Sequence, residues 1–304
     1  MNLVKNIFFK DDKVTTFITT RLHDNEVAEK VFLKTSGVKL DITSRHSMIC
    51  LDPFCLAAWV TTQEAENLDA QSAYVSFKTD DSTNARLQVS LIEKIETEKG
   101  LLLLYRIENV NNYQLSALHR LFFWGRLIRS KTNTFYSRKV ISALYSYPRR
   151  IIIVSYCDND YCNIFPMDIQ GYLEEEGLYL LGLRTTNLTL NKILEAKKVV
   201  VCDTNSVDLE TVYSLGKHSS KAPTPISELP FAVSKSELFG FPVPDFSGGY
   251  KEIEIIRHKK MGYHMLLVGR VVNSKQINPN PASLFHVGFL QYKKGDYVPI
   301  DGVF

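Results

Sequence analysis

Residues 147–202 decide the fold, and they read YPRRIIIVSYCDNDYCNIFPMDIQGYLEEEGLYLLGLRTTNLTLNKILEAKKVVVC. Residues 149–156 are a β-branched run that follows Pro148 and ends at the turn-forming sequence DND, which predicts a buried strand. A second strand is predicted at residues 178–183. The polar segment RTTNLT at residues 184–189 comes next, and apolar residues then follow at helical spacing: Leu190, Ile193, Leu194 and Ala196. The pattern therefore predicts a strand that leads into the start of a helix.

The start of this helix is a candidate anion site. The first turn of a helix has free backbone N–H groups and the positive end of the helix dipole, and both attract anions. Arg184 supplies a cation, and Thr185, Thr186 and Thr189 supply hydroxyl groups, which together suit a phosphate. The alternative is an ordinary N-cap, because Thr or Asn at a helix start usually caps the helix and does nothing more.

The order of these segments resembles the flavin reductase-like family of FMN-binding split β-barrels. Within the stretch, the resemblance is carried by the first strand, the acidic turn, Asn163, the second strand, the pattern Arg-x-x-Asn-x-Thr-x-x-x-Ile at residues 184–193 and the strand at residues 199–202. Further along, it is carried by YSLGKHSSK at residues 213–221, Pro230-Phe231, and GYHMLLVGRVV at residues 262–272. The similarity extends over about residues 145–297.

The resemblance implies a mainly β fold with a few helices. A C-terminal split β-barrel of flavin reductase type would occupy residues 136–304. The resemblance says nothing about residues 1–120, and the β-rich N-terminal domain at residues 1–130 with one amphipathic helix is predicted from the sequence pattern instead. The resemblance also implies bound FMN, or FAD, with NAD(P)H as co-substrate. Because split-barrel protomers commonly share their flavin sites across a dimer, the resemblance implies a homodimer.

The resemblance further implies which residues contact the flavin. The backbone of residues 163–169 would line the edge of the ring, where N–H groups stabilise charge that appears on reduction; the residues assigned there are Asn163, Ile164, Met167, Asp168 and Ile169. The phosphate would be held by Arg184, Thr185, Asn187 and Thr189, with Lys217 or Lys221 closing over it from the later loop.

Several residues depart from the family pattern or invite a catalytic role. Phe165 and Pro166 are bulky where a flavin must approach, and Asp168 would place an acidic group near the ring, opposing an anionic reduced flavin. His264 is the candidate proton donor, although a hydrogen-bonded strand histidine is the commoner case. The departures weaken the expectation of catalysis more than the expectation of fold.

Composition excludes some classes of function. The balance of 36 basic against 33 acidic residues gives a net charge of +3, which does not favour a nucleic-acid partner. Five cysteines without CxxC spacing predict neither a disulfide framework nor a metal site, and a reducing cytoplasm fits them best. Cys157 and Cys162 flank the candidate flavin loop, where a bystander role is favoured over a redox one. No apolar run approaches the roughly 20 residues that cross a membrane.

The N-terminal half contains a hairpin at residues 86–107 and an amphipathic helix at residues 113–129. The hairpin can be aligned without gaps on residues 251–271, pairing Val89 with Ile253 and Leu91 with Ile255. Such ribbons are common, so chance similarity is the favoured explanation, and a second, degenerate barrel is the alternative. This half lacks a counterpart of residues 184–193, so we expect it not to bind flavin. A linker is predicted at residues 130–134 and a last strand at residues 284–292.

Three hypotheses of function follow. The first is an FMN-dependent oxidoreductase of flavin reductase type that passes hydride from NAD(P)H through FMN to an acceptor. The second is a flavin-binding electron carrier or sensor without a nicotinamide site, and the third is a barrel that has lost its flavin and acts as an interaction module. The ordered resemblance favours the first, and the bulky Phe165-Pro166 segment motivates the third.

Overall fold

The computed structural model describes residues 15–35, 37–71, 73–114, 116–127, 135–217, 219–279 and 282–300. Strands make up 50% of the structure and helices 20%, which confirms the mainly β fold. Within these ranges, every helix is too short or too polar to cross a membrane.

After strand β1 (Phe17–Leu22), seven strands form an antiparallel sheet that we call the N-terminal barrel. They are β2 (Glu29–Lys34), β3 (Lys39–Asp41), β4 (His46–Leu51), β5 (Phe54–Thr61), β6 (Ala73–Thr79), β7 (Ser82–Glu96) and β8 (Gly100–Asn112). Their order across the sheet is β3-β2-β6-β7-β8-β5-β4. The short helix α1 (Thr62–Glu66) joins β5 to β6. The hairpin predicted at residues 86–107 is β7 and β8, and the predicted amphipathic helix is α2 (Ala117–Leu127).

Helix α3 (Phe135–Leu144) and strand β9 (Arg149–Arg150) lead to a second sheet of seven strands, the C-terminal barrel. Its strands are β10 (Ile152–Cys157), β11 (Cys162–Met167), β12 (Gln170–Leu173), β13 (Leu178–Arg184), β14 (Lys198–Asp203), β17 (Gly249–Lys260) and β18 (His264–Gln276). Their order is β11-β10-β14-β17-β18-β13-β12. Helix α4 (Leu188–Ala196) joins β13 to β14, and α5 (Leu209–Lys217) follows β14. Strands β15 (Val233–Lys235) and β16 (Pro242–Pro244) form a separate pair.

Each seven-stranded sheet curls until its two edges meet. In the C-terminal barrel the edge strands β11 and β12 are consecutive, with Asp168 and Ile169 between them, and Ile169 accepts a backbone hydrogen bond of 2.8 Å from Gly182 on β13. In the N-terminal barrel, residues 42–45 join the edge strands β3 and β4. Ile42 there donates to Val31 on β2, and Arg45 accepts from Trp59 on β5, each at 2.8 Å. A short connection between the two edge strands therefore closes each sheet. We call the line where the two edges of a sheet meet its seam.

The two barrels have the same strand order, and their long hairpins have register irregularities at equivalent positions. If β2–β8 are matched in turn to β10–β14, β17 and β18, the two orders are identical. The β7–β8 hairpin has irregularities in register at Gln88/Val89 and Leu91/Glu93, and the β17–β18 hairpin has them at Glu252/Ile253 and Ile255/Arg257. These positions coincide in the gapless alignment made from the sequence. The N-terminal half therefore contains a second seven-stranded sheet with the topology of the C-terminal one.

A third sheet has three strands, and it pairs a strand from the N-terminal part of the chain with one from the C-terminal part. Strand β19 (Ser283–Gly288) lies between β1 and β9 and pairs antiparallel with both. The predicted strand at residues 284–292 is too long, because the chain turns at Gly288 into helix α6 (Phe289–Lys294). The predicted linker at residues 130–134 lies outside the described residues. Strand β1 therefore pairs with a strand from the last part of the chain and belongs to neither seven-stranded sheet.

Candidate functional site

A cavity of about 360 Å³ opens at the seam of the C-terminal barrel. Its walls come from β11, the connection to β12, the end of β13, the loop before α4, the loop after α5 and the first residue of β18. Most of the residues predicted to contact a flavin line it: Asn163, Met167, Asp168, Ile169, Arg184, Asn187 and His264.

The other predicted residues lie elsewhere. Ile164 is buried in the core of the barrel, and Thr185 is tied through both its backbone N–H and its hydroxyl to the carbonyl of Tyr263. Lys217 ends helix α5 and Lys221 lies in the loop after it, and both are exposed outside the cavity wall. Their assignment to the phosphate stays a prediction, because either side chain would have to swing over the cavity.

The first turn of helix α4 differs from the expected open anion site. The Leu188 N–H donates to the hydroxyl of Ser220 at 3.0 Å, and the Thr189 N–H donates to the side-chain oxygen of Asn187 at 2.9 Å. The Leu190 N–H donates to the Asn187 carbonyl at 3.1 Å. The expectation of free N–H groups is therefore wrong, and Asn187 is the ordinary N-cap that the sequence left open as the alternative. An anion here would be held mainly by side chains.

Thr189 acts behind the cavity wall. Its side chain is fully buried, and its hydroxyl lies 2.7 Å from the Asn163 amide nitrogen and 2.7 Å from the Tyr161 hydroxyl. Tyr161 also donates to the carbonyl of Ser220 at 2.8 Å. Thr189 thus joins helix α4 to β11 and, through Tyr161, to the loop that carries Ser220. It positions the cavity-lining Asn163 and does not line the cavity itself.

The polar side chains in the cavity wall suit an anionic ligand. Arg184 is exposed, and its guanidinium carbon lies 5.8 Å from the ring centre of Tyr263. Thr186 and Ser220, which both have hydroxyl groups, line the same cavity. A guanidinium and hydroxyls are the groups that most often bind phosphate oxygens in proteins.

His264 is a buried, neutral histidine at the inner end of this set. Its Nδ1 lies 3.4 Å from the backbone nitrogen of Leu51, whose N–H donates to it, so the ring proton is assigned to Nε2. Nε2 is buried and has no hydrogen-bond partner among the described residues. Burial first, and then the charge of Arg184, lowers the pKa of His264 to about 4. Nδ1 is therefore bonded, Nε2 is buried without a partner among the described residues, and a catalytic role of His264 stays a prediction.

Asp168 lines the cavity, but its charge is directed into a buried network. The carboxylate accepts hydrogen bonds from the Tyr145 hydroxyl at 2.5 Å and from His286 Nδ1 at 2.7 Å. Burial alone would raise the pKa of Asp168, but the hydrogen bonds and the charges of His286 and Arg149 outweigh it and hold the pKa below its usual range. The expected repulsion of a reduced flavin is weakened, because the negative charge is shared with two donors.

Glycine and serine residues in the wall were not singled out from the sequence. At Gly182 a Cβ would lie 2.5 Å from Ile169 Cγ2 and 2.7 Å from the Ile49 carbonyl oxygen, so a side chain is excluded. Ser220 and Gly216 were within the quoted segment at residues 213–221, which was the available signal. Phe165 and Pro166 form part of the wall and leave the cavity open.

The structure joins Cys157 and Cys162 as a disulfide at the ends of β10 and β11. The sequence predicted no disulfide, and this pair is a correction to that expectation. Their strand positions are directly opposite each other, which is what brings the two side chains together. Cys50, Cys55 and Cys202 are free and buried.

No protein family model and no curated protein matches the chain. Several solved structures are similar to part of the chain. An FMN-binding protein from Thermus thermophilus is similar at 20% identity over 47% of this chain and 84% of that protein, with a TM-score of 0.41. An NADH:FAD oxidoreductase from Streptomyces globisporus is similar at 12% identity over 48% and 86%, with a TM-score of 0.43. The flavin reductase component of a bacterial tryptophan halogenase is similar at 15% identity over 50% and 98%, with a TM-score of 0.44. The structures to which about half of this chain is similar are thus FMN-binding and flavin reductase proteins, the kind that the sequence resemblance named.

Proposed function

We propose that the protein is an FMN-binding oxidoreductase of flavin reductase type, which passes hydride from NAD(P)H through the flavin to an acceptor. The observation that carries the proposal is the cavity at the seam of the C-terminal barrel, which brings together Arg184, Asn187, His264 and the residues of the β11–β12 connection. The resemblance assigns most of these residues to one flavin, and their position around one cavity supports the proposal.

The cavity fits a flavin mononucleotide in size and in chemistry. Its volume of about 360 Å³ is within the range of roughly 300 to 1,000 Å³ of small-molecule sites. The buried Nε2 of His264 needs a hydrogen-bond acceptor, and a carbonyl oxygen of the ring edge would provide one. Arg184 and the hydroxyls of Thr186 and Ser220 would hold the phosphate.

The residues of the chain would bind the flavin, orient it and shield it. Backbone groups of residues 163–169 would contact the ring edge, and Thr189 would keep Asn163 in place through its 2.7 Å hydrogen bond. Gly182 would let the Ile169 side chain and the Ile49 carbonyl pack closely in the wall of the cavity, because it has no side chain of its own. His264 would donate from Nε2 as a neutral group, because its lowered pKa keeps it uncharged at neutral pH. The bound flavin would supply the redox chemistry.

The identity of the cofactor and of the electron donor belongs to this proposal. We propose FMN in preference to FAD, and NAD(P)H as the donor. The extent of the flavin domain, residues 136–304, and a cytoplasmic location are also proposals; the three free cysteines support the location, and the Cys157–Cys162 pair does not.

The experiment is an absorption spectrum of the purified protein after incubation with FMN and desalting, followed by assay of NADH and NADPH oxidation with added FMN. We expect retained flavin and turnover above the protein-free control. Retained flavin without turnover would replace the proposal by the electron-carrier hypothesis. A colourless protein without affinity for FMN would refute flavin binding and favour the interaction module.

A further inference from the structure

We propose that the chain is an internal dimer, in which the N-terminal barrel fills the place of a second subunit and completes the flavin site of the C-terminal barrel. The protein is then a monomer with one flavin per chain. Only the number of flavins per chain rests on the proposed function. The arrangement of the two barrels does not depend on that function.

The contact between the barrels is isologous, meaning that equivalent residues of the two partners meet each other. Ser47 and Gly171 occupy equivalent positions in β4 and β12, as the strand registers show. A Cβ added to Gly171 would lie 2.7 Å from the Cβ of Ser47. The two equivalent strands therefore cross at these residues, where a two-fold axis of a true dimer would pass.

The buried core between the barrels repeats this relationship. One apolar cluster contains Cys55 with its counterpart Leu178, and Ala57 with its counterpart Leu180. It also contains Leu102 with its counterpart Leu266. An interface that buries the same positions from both sides is what a symmetric dimer has, and here one chain supplies both sides.

Hairpin turns of the two barrels contact each other in two equivalent pairs. The β4–β5 turn contacts the β17–β18 turn, where the Tyr263 N–H donates to the Asp52 carbonyl at 2.7 Å. The β12–β13 turn contacts the β7–β8 turn, where the Lys99 N–H and the Thr97 hydroxyl donate to the Glu176 carboxylate at 2.8 and 2.9 Å. The two contacts are equivalent, because the β4–β5 turn corresponds to the β12–β13 turn and the β17–β18 turn corresponds to the β7–β8 turn.

The N-terminal barrel lacks the parts that make the cavity. Thr61 pairs with Gly100 as Arg184 pairs with His264, so these residues are counterparts. Thr61 is itself the N-cap of α1, and the loop between Arg184 and α4 has no counterpart. A Cβ at Gly100 would lie 2.1 Å from the Val60 carbonyl oxygen, so no side chain can stand where His264 stands in the other barrel.

The N-terminal barrel instead supports the remaining site. Its Leu51 N–H bonds His264 Nδ1 at 3.4 Å. Its Ile49 carbonyl lies against Gly182 in the cavity wall. A second chain is not needed to supply these contacts, and we propose the monomer in place of the homodimer expected from the resemblance.

The test is analytical ultracentrifugation of the full chain over a wide concentration range, with and without FMN, combined with an equilibrium titration that gives the number of FMN molecules per chain. We expect a species of 34.7 kDa at all concentrations and one FMN per chain. A stable species of twice that mass would overturn the internal dimer. Two FMN molecules per chain would overturn the assignment of a single site.

The two proposals fail in different ways. A 34.7 kDa monomer that binds no FMN would retain the internal dimer and refute the proposed function. A stable dimer that binds FMN and oxidises NAD(P)H would do the reverse.

Discussion

The backbone N–H of Leu51 in the N-terminal barrel bonds Nδ1 of His264 in the C-terminal barrel, with 3.4 Å between the two nitrogens. This contact crosses the interface between the barrels and ends in the candidate cavity. It occupies Nδ1 of the imidazole, so the packing of the two barrels determines which nitrogen of His264 carries the proton.

His264 should therefore carry its proton on Nε2 and remain neutral at neutral pH. Spectra of protein labelled with ¹⁵N-histidine, with the His264 signals assigned by the His264→Gln variant, should show a protonated Nε2 and an unprotonated Nδ1. Addition of FMN should shift the Nε2 signal. A protonated Nδ1 would contradict the contact with Leu51.

Two buried histidines should make the protein less stable as the pH falls. Burial lowers the pKa of His46 to about 3 and that of His264 to about 4. The unfolded chain binds these protons near the ordinary pKa of 6.5, so the free energy of unfolding decreases as the pH falls from 6.5 towards 4. Urea unfolding at about pH 7 and about pH 4.5 measures the decrease. His46→Gln should make it smaller, and an unchanged decrease would count against the buried neutral state.

Arg184→Ala should weaken FMN binding about tenfold to a hundredfold, because a charged hydrogen bond to phosphate contributes about 1.5 to 3 kcal/mol. The matched control is Arg270→Ala, on the same strand as His264 but paired with Glu98 at the surface. Fluorescence titration with FMN measures both. Equal affinities in the two variants would show that Arg184 does not hold the phosphate.

Thr189→Val should weaken both the fold and the site. The substitution keeps the shape of the side chain but removes the hydrogen bonds to Asn163 and Tyr161, which should lower the free energy of unfolding by about 1 to 3 kcal/mol. Thr186→Val, at an exposed position of the loop before α4, should change stability by less than about 0.5 kcal/mol. Urea unfolding at neutral pH compares the two, and equal losses would contradict the buried role of Thr189.

Gly171→Ala should destabilise the protein, because the new methyl group would meet Ser47 across the interface between the barrels. Ser47→Gly in the same chain removes the obstructing atoms and should restore part of the loss. A double-mutant cycle measured by urea unfolding gives the coupling energy between the two sites. Additive effects would mean that the two residues do not touch.

Much of the fold could be predicted from local patterns. Alternating apolar residues indicated the β7–β8 hairpin. The end of the last strand was missed, because Gly288 starts helix α6 inside an apolar run that also suits a strand. The Cys157–Cys162 pair depends on strand register, which cysteine spacing does not reveal.

The candidate site was predicted where residue type and order carry the information. Arg184, Asn187 and His264 were found because they belong to recognisable segments. The partners of the helix N–H groups were not predictable, because Ser220 reaches Leu188 through a tertiary contact. The contribution of Leu51 was equally inaccessible, since it is a backbone group brought in by the other barrel.

The pairing of β1 with β19 limits how the chain can be shortened. Strand β19 has β9 on one side and β1 on the other, so a chain that begins at residue 136 would leave one edge of β19 unpaired. Unpaired strand edges recruit other strands, and such a fragment should aggregate or exchange strands between copies. Segments that are distant in sequence must therefore be made together, and the C-terminal barrel is not a module that can be excised at the boundary its sequence suggests.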